Sequence, residues 1–212
     1  MTLSAFVGTL GSGKTLGLTW WAAQQYNKGR KIYSNYKLGF PHYRVTHPDQ
    51  LDQMREGAAA LDELWLWMDS RCSGDELNKM RAYVLGKSRK RKVDIAYSSQ
   101  NLMQIDKRVR NVTDWVYAPY LVHSPELCSD CMAHPTRFYR HPLTGETIKL
   151  CSRPMPVVIE IFKMEGGNFG QVIPAGSVTI DGLKIIPLYD TTEEIMEDVY
   201  DKGDAEQDGD ND

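Results

Sequence analysis

The sequence predicts an α/β fold, a three-layer sandwich in which helices cover both faces of a largely parallel central sheet. Strand-like apolar runs alternate with helical segments along much of the 212-residue chain, as such folds require. A buried strand at 2–7 leads into a glycine-rich loop, and a helix follows at 16–26. A chain of this length can bury one sizeable core, so we predict one domain over residues 1–189 and an acidic, largely disordered tail over 190–212.

The glycine-rich loop fits the phosphate-binding pattern G-x-x-x-x-G-K-[ST]. Its glycines permit a tight turn, so that successive backbone N–H groups and the helix N-terminus point at one phosphate. Lys14 is expected to reach the β- and γ-phosphates of ATP, and the Thr15 hydroxyl to bind Mg²⁺. A chance glycine-rich turn is the alternative, and the flanking strand and helix disfavour it. The predicted nucleotide-binding residues are Gly8, Thr9, Leu10, Gly11, Ser12, Gly13, Lys14, Thr15 and Leu16.

A small, apolar segment at 57–61 ends in two acidic residues, Asp62 and Glu63, and resembles a Walker B strand. Small residues suit a central strand that is covered on both faces. Asp62 is predicted to bind Mg²⁺ through its water shell, and Glu63 to polarise the attacking water as a general base. The alternative is an alanine-rich helical turn with two solvated acids. The glutamate favours hydrolysis over phosphoryl transfer to a small acceptor.

The other elements are predicted from alternation and chain breakers. A capping box at 73–76 begins a helix that runs to about 88, and a short helix is expected at 48–55. Residues 64–68 are expected to pack in the core, with a subunit contact as the alternative. Further strands are predicted at 31–38, 93–100, 115–119, 157–164, 169–173 and 183–186.

Charge is distributed unevenly along the chain. The net charge is −3, but residues 190–212 contain eleven acidic residues and one lysine, which leaves 24 basic and 17 acidic residues elsewhere. A basic body suits a polyanionic partner, although many globular domains carry such an excess without one. A basic run is predicted to contact the DNA backbone, or to complement a helix C-terminus, and these two roles are compatible. Its residues are Lys87, Arg89, Lys90, Arg91 and Lys92.

The order of the motifs carries a family resemblance. After the P-loop come SNY at 34–36, ALDE at 60–63, the basic run, YSSQ at 97–100 and IDKRVR at 105–110. Together they resemble the FtsK–HerA superfamily of DNA-pumping ATPases, and within it the zonular occludens toxin-like and viral genome-packaging ATPases. The resemblance covers about residues 1–120 and PLYDTTEE at 187–194.

The resemblance implies an additional-strand, RecA/FtsK-like P-loop NTPase. In that fold a strand between the Walker A and Walker B strands places a polar side chain beside the γ-phosphate, and Gln100 matches this sensor. It also implies a homo-oligomeric ring, pentameric or hexameric, in which an arginine from one subunit completes its neighbour's site. Arg110 and Arg108 are the candidates, with Arg89 in reserve; a surface arginine is the alternative.

The implied function is an ATP-hydrolysing motor that packages double-stranded DNA into a viral capsid. Zonular occludens toxin-like proteins of filamentous phages usually carry a membrane helix. The sequence has no apolar run long enough to span a membrane, and this difference favours the packaging motor. A capsid or membrane vertex protein is an implied partner, and the expected location is the host cytoplasm or the virion. The alternatives are an export or assembly ATPase, a small-molecule P-loop kinase and a nucleotide-gated switch.

Residues 120–155 are predicted to form a small insertion that contains cysteines. Cys128 and Cys131 make a C-x₂-C pair, and Cys151 follows twenty residues later. Three thiolates and one imidazole would complete a tetrahedral structural zinc site, with a hairpin turn at 142–145 between its halves. A second C-x₂-C pair is missing, so reduced cysteines in a loop are the alternative. The imidazole is expected from His134, with His123 and His141 nearby.

Overall fold

An eight-stranded sheet organises the computed structural model, which describes residues 2–69, 71, 85, 87–121, 137–140, 147–150, 156–165 and 171–190. Two more strands form a separate antiparallel pair. The strands are β1 Leu3–Val7, β2 Lys31–Ser34, β3 Tyr43–Arg44, β4 Gly57–Leu61, β5 Val93–Ser99, β6 Trp115–Leu121, β7 Arg137–Arg140, β8 Thr147–Leu150, β9 Val157–Glu165 and β10 Gln171–Ile180. The α-helices are α1 Lys14–Asn27, α2 Lys107–Asn111 and α3 Gly182–Ile185. Short 3₁₀ turns lie at Pro48–Gln53, Leu64–Leu66, Ser88–Arg91, Leu102–Gln104 and Ile186–Leu188.

The strand order in the large sheet is β10-β9-β6-β1-β5-β4-β2-β3. The strands from β6 to β3 in this order run parallel, whereas β9 is antiparallel to β6, and β10 is antiparallel to β9. The predicted largely parallel sheet is therefore confirmed. The strand that precedes Gln100 lies between the P-loop strand and the strand that ends in Asp62. Chain order does not dictate this placement, because β5 follows β4 in sequence.

The central strands are buried on both faces. Every residue of β1 and β4 is buried, which explains why β4 is a run of small residues with no polar alternation. Ala59 and Leu61 pack with Ile95 and Tyr97 on one face of the sheet. Ala58 and Ala60 pack on the other face, in the cluster that contains Phe6 and the α1 side chains.

Helix α1 lies against the second of these faces at close range. A Cβ atom added at Gly17 would lie 3.1 Å from the Phe6 ring and 3.2 Å from Ile159 Cδ1, so any larger residue would require these side chains to move. On the first face, Leu64, Trp67 and Met68 are buried, which confirms the core packing predicted for this segment. Each such side chain contributes roughly 1.5–3 kcal/mol of hydrophobic stabilisation.

Several predicted boundaries are wrong. The strand predicted at 31–38 ends at Ser34, because the Ser34 hydroxyl donates to the Tyr36 carbonyl (2.7 Å) and turns the chain. Residues 183–186, predicted as a strand, lie in α3 and the following 3₁₀ turn. A short apolar run fits a buried helical turn as well as a strand. The helix predicted at 48–55 is a 3₁₀ turn, β3 was not predicted, and the strand predicted at 169–173 extends to Ile180.

Two predicted features lie partly or wholly outside the described residues. The helix predicted to run to about 88 falls mostly in 72–84, and the acidic tail falls in 191–212. In the predicted insertion, β7 and β8 pair antiparallel on either side of 141–146, in agreement with the expected hairpin. In the part of the chain that the structure describes, every helix is too short or too polar to cross a bilayer.

Candidate active site

Three predicted motifs meet at one edge of the sheet. The P-loop follows β1, the two acids follow β4 and Gln100 follows β5, and these three strands are adjacent and parallel. The carboxyl ends of parallel strands lie at the same edge, which is where ligands bind in open α/β sheets. The Gly8 N–H donates to the Ser99 carbonyl (3.4 Å), so the P-loop begins beside the end of β5.

The P-loop has the backbone conformation that its glycines predict. Gly13 has φ 95°, in the left-handed region, and a Cβ atom there would also contact Val157 Cγ1 at 3.4 Å. The Ser12 N–H donates to the Thr9 carbonyl (3.1 Å), which closes the loop. The Ser12 hydroxyl is buried and has no hydrogen-bond partner within the part of the chain that the structure describes. Such an unsatisfied donor, in a glycine-rich loop before a helix, fits a phosphate ligand.

Lys14 is a desolvated cation between two acids. Its side chain is only 5% exposed, and its Nζ donates to the Thr9 carbonyl (3.3 Å) and lies 3.9 Å from Glu63 Oε1. Burial lowers the pKa of Lys14, while the charges of Glu63 and Asp62 act in the opposite direction. A bound phosphate would add negative charge beside the Lys14 ammonium, as these two acids already do.

Asp62 and Thr15 place two oxygen ligands side by side. The Thr15 hydroxyl donates to Asp62 Oδ2 (2.9 Å), and the Ser98 hydroxyl donates to Oδ1. Burial raises the pKa of Asp62, and these two hydrogen bonds oppose that effect. A hydroxyl and one carboxylate suit Mg²⁺, which usually takes one or two protein oxygens and completes its shell with phosphate and water. Among the described residues, no cluster of three His, Cys, Asp or Glu side chains is found.

Sequence reasoning missed the roles of Asn35 and Ser98. Asn35 is buried and pairs with the backbone of Asp62 in both directions: its Nδ2 donates to the Asp62 carbonyl (2.8 Å), and its Oδ1 accepts from the Asp62 N–H (2.7 Å). Ser98 accepts from the Glu63 N–H (2.8 Å) while it donates to Asp62. The signal in the sequence was a polar residue near the carboxyl end of a strand in each case.

Replacing Asn35 by alanine is expected to lower the free energy of unfolding by about 2–4 kcal/mol, because the Asp62 N–H and carbonyl would lose buried partners. Urea denaturation measures this change. The matched control is Asn27→Ala at the exposed end of α1, where we expect less than about 0.5 kcal/mol. Equal effects of the two substitutions would show that the Asn35 contacts do not hold Asp62.

Glu63 occupies a strained backbone position. Its φ is 47°, in the left-handed region that non-glycine residues rarely adopt, and such strain is common at functional sites. The side chain is 23% exposed. One carboxylate oxygen faces Lys14, and the other accepts a hydrogen bond from the indole of Trp65.

The predicted sensor and the two arginine candidates lie after the carboxyl end of β5. Gln100 is exposed at the same edge as the P-loop, directly after β5. Arg108 and Arg110 lie on α2, which follows the same end of β5. Arg108 pairs with its helix cap, Asp106 (3.1 Å), and Arg110 Nη1 donates to Met103 Sδ (2.7 Å).

The basic run lies at the opposite edge of the sheet, directly before β5. Arg91 is 9% exposed and pairs with Asp52 (2.7 Å). Lys92 is exposed and lies 3.6 Å from Glu56, and Lys90 is also exposed. The zinc ligand candidates, Cys128, Cys131, His134 and Cys151, fall outside the described residues, so zinc binding stays a prediction.

The N-terminal domain of zonular occludens toxin from Neisseria meningitidis aligns with a TM-score of 0.56 at 16% identity, covering 89% of this chain and 98% of that one. The two chains share a fold. The genome-packaging NTPase B204 from Sulfolobus turreted icosahedral virus 2, in complex with AMP, aligns with a TM-score of 0.44 at 8% identity, covering 71% and 96%. No protein-family model matches the sequence, and no curated protein matches it.

The likeness to the toxin domain confirms, at the level of the fold, the resemblance that the motif order carries. At this sequence identity, the likeness concerns architecture. Function has to be argued from the site itself.

Proposed function

We propose that the protein is an additional-strand P-loop ATPase of the RecA/FtsK-like type, which uses Mg²⁺ to hydrolyse ATP. One observation carries the proposal. The Thr15 hydroxyl meets the Asp62 carboxylate at 2.9 Å, next to a buried Lys14 that lies 3.9 Å from Glu63. Residues from β4 and the start of α1 thus converge where a triphosphate would bind.

Each residue has a separate role in the proposed reaction. Backbone N–H groups of residues 8–16 bind the phosphates, Lys14 compensates their charge, and the Thr15 and Asp62 oxygens would hold the Mg²⁺ that neutralises developing charge. Glu63 takes a proton from a water molecule as that water attacks the γ-phosphate. The bond between the β-γ bridging oxygen and the γ-phosphorus breaks, which gives ADP and inorganic phosphate. Gln100 is the proposed sensor of the γ-phosphate.

We further propose that ATP hydrolysis drives translocation of double-stranded DNA by a homo-oligomeric ring, a pentamer or hexamer, during packaging into a capsid. The basic charge of the body and the exposed Lys90 and Lys92 support a polyanionic partner. A capsid or membrane vertex protein is the proposed docking partner. The likeness to a zonular occludens toxin domain favours a second candidate, an export or assembly ATPase with the same site.

The test is release of inorganic phosphate from ATP and Mg²⁺, with and without double-stranded DNA. We expect DNA to raise the rate several-fold, and to do so less as salt rises, because phosphate contacts weaken with ionic strength. Phosphate release that is independent of DNA would leave an ATPase without the motor role. A kinase would transfer the γ-phosphate to an acceptor and would release no inorganic phosphate. A nucleotide-gated switch would bind ATP without hydrolysing it.

Lys14→Ala tests where the nucleotide binds. We expect ATP to bind roughly 10- to 100-fold more weakly, because charge-assisted hydrogen bonds to phosphate contribute about 1.5–3 kcal/mol. Titration with a non-hydrolysable ATP analogue measures this change. The control is Lys31→Ala, at the exposed amino end of β2, where affinity should be unchanged. Equal affinity of the Lys14 variant and the wild type would contradict the placement of the nucleotide.

A further inference from the structure

The indole of Trp65 contacts the proposed general base, and the reaction described above assigns it no role. Trp65 Nε1 donates a hydrogen bond to Glu63 Oε2. The other oxygen, Oε1, lies on the P-loop side, 3.9 Å from Lys14 Nζ. Since an indole N–H can only donate, this contact occupies one acceptor site of Oε2, and we take Oε1, on the P-loop side, as the oxygen that accepts a proton.

The segment that carries the indole is itself well anchored. Trp65 lies in the 3₁₀ turn Leu64–Leu66, which begins directly after Glu63 and is fixed in the core by the buried Leu64. The Leu66 N–H donates to the Glu63 carbonyl (3.0 Å). With the Glu63 N–H on Ser98, the backbone of Glu63 is held from both sides, and the indole holds its side chain.

Without that contact, the carboxylate has a strong competing partner. Lys14 is buried, so the attraction between its charge and Glu63 is screened less than at the surface. At 3.9 Å the two groups are beyond hydrogen-bond distance. If the carboxylate moved onto Lys14, it would neutralise the cation meant for phosphate, and its accepting oxygen would be occupied.

We propose that Trp65 is a positioning residue, whose indole N–H holds the Glu63 carboxylate away from Lys14 and available to the attacking water. The inference rests on the proposed function, because it takes Glu63 to be the general base. The inference gives Trp65 a role in the reaction, whereas the sequence alone placed it in the apolar segment 64–68, which was expected to pack in the core.

The kinetic test is Trp65→Phe, which removes the N–H donor and keeps an aromatic ring. We expect kcat to fall about 5- to 20-fold, since small misplacements of a catalytic group are costly, with KM for ATP within about twofold of wild type. The matched control is Trp115→Phe at the opposite edge of the sheet, where kcat should not change. A wild-type kcat in Trp65→Phe, or a loss explained by a reduced folded fraction in thermal denaturation, overturns the proposal.

A second measurement does not depend on the folding of that variant. The chain has five tryptophans, and each contributes one indole N–H resonance to a ¹H–¹⁵N spectrum. Glu63→Ala should move the Trp65 resonance upfield and leave the other four nearly unchanged. An unmoved Trp65 resonance overturns the proposal.

The two proposals can fail separately. Wild-type hydrolysis by Glu63→Gln would reject Glu63 as the base, and with it any role of Trp65 in the reaction. An inactive Glu63→Gln variant together with a fully active Trp65→Phe variant would reject the positioning role alone and leave the ATPase proposal in place.

Discussion

Replacing Glu63 by glutamine is expected to lower kcat for ATP hydrolysis by about 10²- to 10⁴-fold, the range typical of general acid–base catalysis. The amide has the same shape as the carboxylate, but it cannot take a proton from water. Binding of ATP should stay close to wild type, because Lys14 and the P-loop backbone are unchanged. Steady-state phosphate release and titration with a non-hydrolysable analogue measure the two quantities.

A matched control exists within the chain. Glu56 also has a positive φ (49°), and it lies exposed before β4 at the other edge of the sheet. Glu56→Gln therefore makes the same chemical change on a similar backbone, and it should leave kcat unchanged. Hydrolysis at the wild-type rate by Glu63→Gln would show that another group, or a water chain, accepts the proton.

The parts of the site that the sequence predicted are local in sequence. The P-loop is eight consecutive residues whose glycines and lysine have one well-known use, and Asp62 and Glu63 follow a strand that is recognisable from its small residues. Each of these predictions required only the residue types and their spacing. The structure then brings the two segments together, with the Thr15 hydroxyl donating to Asp62.

The parts that sequence reasoning missed depend on which strands are neighbours. Asn35 reaches Asp62 because β2 is next to β4, and Ser98 reaches it because β5 lies on the other side of β4. Contacts of this kind follow from sheet order, which a list of strands does not fix. The contact of the Trp65 indole with Glu63 is local, but it depends on a side-chain direction that the apolar pattern of the segment does not give. The apolar run at 183–186 was mistaken for a strand because a short apolar run fits a buried helical turn equally well.

The separation of the two predicted functional regions constrains the proposed motor. The basic run precedes β5, and the nucleotide site lies at its other end. Seven residues of strand span about 23 Å at roughly 3.3 Å per residue, so one phosphate group cannot bridge the two. A DNA effect on hydrolysis would have to pass through β5 itself, which carries Ser98 against both Asp62 and Glu63, or through a neighbouring subunit.

Arg110→Ala tests whether an arginine of one subunit acts in the nucleotide site of the next. If Arg110 completes the site of an adjacent subunit, this substitution should leave ATP binding nearly intact and reduce hydrolysis by a factor within the roughly 10³–10⁵ that arginine fingers supply. Its place on α2, after the end of β5 that faces the nucleotide edge, makes such a reach geometrically reasonable. ATP titration and phosphate release measure the two effects.

Mixing variants separates action between subunits from action within one. A ring assembled from Arg110→Ala and Glu63→Gln subunits contains some sites with an intact Glu63 facing an intact Arg110, so activity should partly recover. The double variant, Arg110→Ala with Glu63→Gln, should give none of this recovery when mixed with either single variant. A mixture with Arg110→Ala contains no intact Arg110, and a mixture with Glu63→Gln contains no intact Glu63. Repeating the mixture with Arg108→Ala and Arg89→Ala identifies which arginine acts. If none of the three gives recovery, none of these arginines completes a neighbouring site, and the ring proposal loses its main mechanical support.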